Sequence, residues 1–159
     1  MYLCGMRKIF LTLACFTLLL LGSCNKKCGN LESTNSGSIQ DTYTFGDCNY
    51  YGAIDSHMVI RTQQEFNDFV AKQFQFCSAQ NTIPSVDFAK SSLIALMVST
   101  PACNIAYKRS LDLDIATKTY TYTVTTDKCT GCNQLLRSPN FVLTDPIPAN
   151  YSVKFVIND

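Results

Sequence analysis

Apolar residues fall on every second position through much of the second half of this chain. Leu111, Leu113 and Ile115 alternate with Asp112 and Asp114, Tyr120, Tyr122 and Val124 alternate with threonines, and Tyr151, Val153, Phe155 and Ile157 close the sequence in the same way. Successive side chains of a strand point to opposite faces, so this period predicts half-buried strands and excludes helices there. The first two segments, with Ala116 to Thr119 between them, read as a β-hairpin with one wet face. Leu93 to Val98 is instead an unbroken apolar run closed by Pro101, as expected of a central strand covered on both faces. Further strands are expected at Tyr43 and Phe45, at Met58 to Arg61, and at Val86 and Phe88 after Pro84. One helix stands out. Thr62 and Glu65 have capping-box spacing, and Phe66, Phe69, Val70 and Phe74 follow on one helical face. The expected fold class is α+β: a single small domain, mostly antiparallel β-sheet, with one main helix over about residues 63–76 packed on it.

The N-terminus has the parts of an export signal. Arg7 and Lys8 precede an apolar run from Ile9 to Leu21, followed by Gly22, Ser23 and Cys24. A membrane-spanning helix needs about 20 apolar residues, and Thr12 and Thr17 interrupt this shorter run. Leu21-Gly22-Ser23-Cys24 resembles the lipobox of bacterial lipoproteins, in which the cysteine is acylated and the preceding bond is cut. The resemblance implies a signal peptide over residues 1–23 and lipidation at Cys24, with the chain tethered to a membrane of the cell envelope, expected to be the outer membrane, periplasm-facing or at the surface. Residues 24–40 are rich in Ser, Asn, Gly and Lys and read as a flexible leash, leaving 41–159 as the β-rich globular domain. Lys26 and Lys27 lie next to the anchor, where they serve either attraction to anionic headgroups or plain solubility.

Thirteen basic and twelve acidic residues leave the chain near neutrality, and no Lys/Arg cluster offers a footprint for phosphates, so nucleic acid is not expected as a partner. Of nine cysteines, Cys4 and Cys15 lie in the signal and Cys24 is the lipid site. Cys28, Cys48, Cys77, Cys103, Cys129 and Cys132 remain, an even set that in an exported chain argues for disulfides. The hairpin register suggests one pairing. With Ile115 facing Tyr120, Leu113 facing Tyr122 and Leu111 facing Val124, the same register carried outward sets Cys103 opposite Cys132, or beside Cys129 if one bulge intervenes.

Cys129-Thr130-Gly131-Cys132 has the spacing of a thiol-disulfide redox motif, but the helix and strands that such a domain needs after it are not legible in the short remainder. His57 is the sole histidine, so metal sites and triads that draw on several imidazoles cannot be assembled. Asp112 and Asp114 share a strand face, and their alternation with leucine predicts solvated charges rather than a catalytic pair. Tyr50 and Tyr51, beside Gly52, form a candidate aromatic patch for a protein or glycan. No metal, cofactor or catalytic residue is expected.

Three segments resemble the C-terminal domain of PrcB-like proteins, a family of protease-complex subunits: Val59 to Val70, Val86 to Val98 and Tyr151 to Ile157. The chain departs from that family at Thr100 to Tyr107, where a glycine-rich turn is replaced by a stretch containing Cys103. The resemblance implies a non-enzymatic, lipid-anchored accessory or protein-binding module whose partner is another envelope protein, an exported protease among the candidates. The alternatives are a CxxC redox protein and a lipoprotein that binds small molecules or glycans.

Overall fold

The computed structural model of the 159-residue chain describes residues 29–45, 56–74, 83–129, 131 and 134–159. In chain order these residues form β1 (Thr34–Gly37), β2 (Ile39–Thr42), β3 (His57–Ile60), α1 (Gln63–Gln73), β4 (Ser92–Pro101), β5 (Asn104–Asp114), β6 (Thr119–Cys129), β7 (Leu135–Thr144) and β8 (Ser152–Asn158). The fold is a small, mostly-β α+β domain, with its strands divided between two four-stranded sheets. One has the order β1-β5-β6-β8 and the other β2-β7-β4-β3. Neighbours pair antiparallel except β1 with β5 and β6 with β8, which run parallel.

The apolar run of β4 is unbroken because its two faces serve different cores. Leu93, Ala95 and Met97 pack with Phe66, Phe69 and Phe74 of the helical segment and with Tyr43, Phe45 and Phe141. Ile94, Leu96 and Val98 point the other way and meet Tyr107, Leu111, Tyr120, Tyr122 and Val124 of the opposing sheet. Strand β4 is therefore the middle of three layers: helix, sheet, sheet. The helix begins as expected, with Thr62 accepting from the Glu65 backbone N–H and the Glu65 carboxylate accepting from that of Thr62. It stops at Gln73, short of the expected residue 76. Phe74 leaves helical geometry with φ −115° and turns its buried ring into the phenylalanine cluster.

Several sequence expectations shift. Strand structure starts at Thr34, inside the stretch 24–40 expected as a leash; β1, with the sequence Thr-Asn-Ser-Gly, exposes all four side chains and is held by its backbone, so no apolar rhythm marks it. Tyr43 and Phe45 are core residues lying just past the end of β2, the Tyr43 N–H still bonding Phe141 O at 3.0 Å. Val86 and Phe88 do not form a strand. Asp87 instead builds a turn, its carboxylate accepting from Ala89 N and its carbonyl from Lys90 N. Strand β7 was unmarked in the sequence, since Pro139 lies within it. Phe141, two residues on, turns its carbonyl towards Tyr43, so Pro139 faces the same flank beyond the end of β2, where a ladder N–H is not required.

The β5–β6 register also differs, with Leu113 opposite Tyr120 and Leu111 opposite Tyr122. The expected apolar face is kept, but the turn is Ile115–Lys118 and Ile115 stands 72% exposed. The cause is Asp114, whose Oδ1 accepts the backbone N–H groups of Ala116 and Thr117 and so starts the turn one residue early. Lys118 completes it at φ +53°. The Thr117 side chain first, then the Thr117 and Ala116 backbone N–H groups, hold the Asp114 carboxyl below its usual range.

Burial also sets a limit at high pH. The Tyr43 hydroxyl donates to Pro84 O, and desolvation pushes its pKa up to about 12; the Tyr122 phenol is raised by the same cause. The folded domain holds these protons more tightly than the unfolded chain, so their stabilising effect is complete below the ordinary tyrosine value of 10.0 and is lost as pH rises above it. Thermal midpoints measured from about pH 9 to pH 11.5 should fall, and Tyr43→Phe should fall less steeply than wild type over that window.

Candidate functional site

The strongest concentration of buried polar chemistry among the described residues lies between the two sheets, around Arg109. Its position between Tyr107 and Leu111 on β5 directs it inward, where 9% of its surface stays exposed. Nε donates to Asn140 Oδ1 at 2.9 Å, joining β5 of one sheet to β7 of the other. Nη1 makes a longer contact of 3.5 Å with Asn35 Oδ1 on β1, and the guanidinium lies 5.3 Å from the centre of the Tyr107 ring. Asn140, 1% exposed, is itself fixed: its amide nitrogen donates to Ser138 O, and its backbone carbonyl accepts from the Tyr122 hydroxyl at 3.2 Å. Among the described residues no carboxylate forms an ion pair with Arg109; the three ion pairs join Lys90 to Asp87, Lys108 to Asp127 and Lys128 to Asp159. Desolvation accordingly lowers the Arg109 pKa, with Tyr122 and then Tyr107 acting in the opposite sense.

A guanidinium held by neutral amides has donors to offer but no nucleophile or base within the cluster. What it does in this fold is pin the sheets together. Asn140→Ala should destabilise the domain by about 2–4 kcal/mol in urea denaturation, because it leaves a buried cation without its best acceptor. A loss within about 0.5 kcal/mol, the range of surface substitutions, would show that the pin carries no load. The inward parity of Arg109 was legible in the sequence, but its partner was not, because β7 was unrecognised.

Among the described residues, those singled out from sequence lie apart, except Cys103 and Cys129. His57 is the exposed first residue of edge strand β3, with Nδ1 2.9 Å from Ser56 Oγ and its ring 4.4 Å from that of Phe155 on β8, so it links neighbouring edges of the two sheets. Asp112 is exposed on β5 opposite Thr121, while Asp114 is occupied by its turn. Cys103 and Cys129 are each disulfide-bonded, and Cys103 N–H donates to Cys129 O at 2.8 Å where β5 begins and β6 ends. In this register Asn104, rather than Cys103, faces Cys129. Cys132, the partner expected for Cys103, lies outside the described residues, as do Cys24, Cys28, Cys48, Cys77, Tyr50 and Tyr51. Among the described residues no group of three or more His, Cys, Asp and Glu is placed to hold a metal ion. A shallow groove of about 340 Å³ runs beside α1, between Phe66, Asn67 and Val70 on one side and Ile83 and Ser85 on the other.

Comparison with protein-family models, with curated proteins and with solved structures finds no match to this chain.

Proposed function

We propose that this chain is a bacterial envelope lipoprotein, anchored by lipid on Cys24, whose domain acts as a non-enzymatic accessory module for another envelope protein, an exported protease being the partner class suggested by its PrcB-like segments. The observation that carries this reading is the Leu21-Gly22-Ser23-Cys24 sequence directly after a basic and apolar leader. The layered sandwich supports it by offering backbone-rich outer strands and exposed loops, while its most constrained polar cluster is spent on joining the two sheets. Cross-linking in intact cells, with the linked species identified by mass spectrometry, tests the partner. The expected result is a stoichiometric adduct with one exported protease; a chain recovered without any adduct would count against the accessory role. The redox alternative has its own test, since insulin reduction by the purified domain that disappears in Cys129→Ser would replace this reading.

A further inference from the structure

Exposed apolar side chains mark both ends of the sandwich. Ile115, 72% exposed, stands at the β5–β6 turn, and Leu135, 65% exposed, begins β7 at the opposite end, beside Pro101. What distinguishes the two ends is where the chain enters. Strand β1 runs parallel to β5 with Thr34 beside Lys108, and Ser33 Oγ accepts the Tyr107 N–H at 3.0 Å. The residues before β1 therefore approach from the end where β5 starts, β6 and β4 finish, and β7 begins. From Ser33 the β5–β6 turn lies about 26 Å further along the strand axis, at about 3.3 Å per residue from Tyr107 to Ile115.

We infer that the end carrying Leu135, Pro101 and Asn104 rests against the bilayer and that the Ile115–Lys118 turn points away from it. This inference rests on the lipid anchor at Cys24. The chain from Cys24 to Ser33 reaches at most about 31 Å when fully extended, and a relaxed leash of that length spans roughly 17 Å. A relaxed leash thus brings the Leu135 end to the headgroups, whereas seating the far turn there requires the leash to be drawn nearly straight along the domain's flank. Leu135 is the apolar contact at the near end, and Lys26 and Lys27 lie in the same leash. Ile115 is left facing the aqueous side, where a partner protein would meet it together with Leu113, itself 38% exposed.

The chain contains no tryptophan, so single introduced indoles report depth without background. Lipidated Leu135→Trp and Ile115→Trp proteins, purified from membranes, are reconstituted on vesicles of phosphatidylethanolamine and phosphatidylglycerol with and without brominated acyl chains. Both positions are exposed, so both substitutions leave the cores intact. The Leu135→Trp protein should lose roughly half its emission on brominated vesicles, as suits an indole at interfacial depth, and the Ile115→Trp protein almost none. Equal quenching, stronger quenching of Ile115→Trp, or no quenching of either on vesicles that carry the protein would overturn the orientation while leaving the anchor intact. Protein that fails to float with the vesicles would overturn the anchor and this inference together.

Discussion

Replacing Cys24 with serine should transfer the protein almost completely from the membrane fraction to the soluble fraction. The variant is best expressed behind an ordinary cleavable export signal, so that an unprocessed leader does not itself act as an anchor. Each buried CH₂ contributes about 0.8 kcal/mol, and two or more chains give an attachment that a short leash with two lysines cannot reproduce. At roughly 1 kcal/mol apiece near an anionic surface, Lys26 and Lys27 would hold only a small bound fraction. Fractionation of cells followed by immunoblotting of the cleaved product is the measurement. A cleaved serine variant that stays membrane-bound would remove the lipid from the account and shift the binding energy to the domain's surface.

Substitution of Gly37 should cost more stability than any other change of comparable size. The residue adopts φ +68° at the corner where the chain leaves β1 for β2, and a Cβ built there would lie 2.3 Å from the Leu111 carbonyl oxygen. The left-handed conformation alone costs a side-chain-bearing residue about 1 kcal/mol. The clash is the larger effect, because the obstacle is backbone in the middle of a sheet and cannot rotate away. Relief requires β1 to withdraw from β5, which lengthens the 2.9 Å bond from Ser38 N to Leu111 O and disturbs the Asn35 contact with Arg109. Gly37→Ala should therefore lower unfolding free energy by about 3 kcal/mol or more. Gly29→Ala is the matched control, since nothing lies within 4 Å of its added methyl, and should change stability by less than about 0.5 kcal/mol. Equal midpoints for the two variants in urea would mean that β1 is not fixed against β5 in solution.

How much of this architecture could be read in advance depended on whether side chains or backbone held each element. Strand β4, the helix and the paired faces of β5 and β6 announced themselves because their apolar residues follow the period of the structure that buries them. Strand β1 gave no such signal. It is bonded by its main chain and exposes every side chain, so a stretch that composition assigns to a leash is in fact an edge strand. Strand β7 was obscured by Pro139, which is tolerable only because β2 ends before reaching it. With β7 unseen, the Arg109–Asn140 bond between the sheets could not be anticipated either, although the inward parity of Arg109 could. The slipped hairpin has a smaller cause: apolar matching is satisfied equally well by two registers, and Asp114 decides between them by capping its own turn.

The two parallel pairings have a bearing on how the chain acquires its shape as it is made. Strands β5 and β6 close locally across a four-residue turn, but their outer flanks are completed from far away: Ser33 meets a residue 74 positions on, and Ser152 meets one 33 positions back. Contacts of such separation form late, after the local hairpin. A chain synthesised from its N-terminus therefore holds β1 in waiting until β5 emerges, and lacks the flank of β6 until β8 emerges. Up to that moment Tyr122 has no Phe155 beside it, and Tyr120 has no Tyr151. Assembly of this sheet is in effect timed by the arrival of β8, so the hairpin at its centre stays open on one flank for as long as that strand is missing.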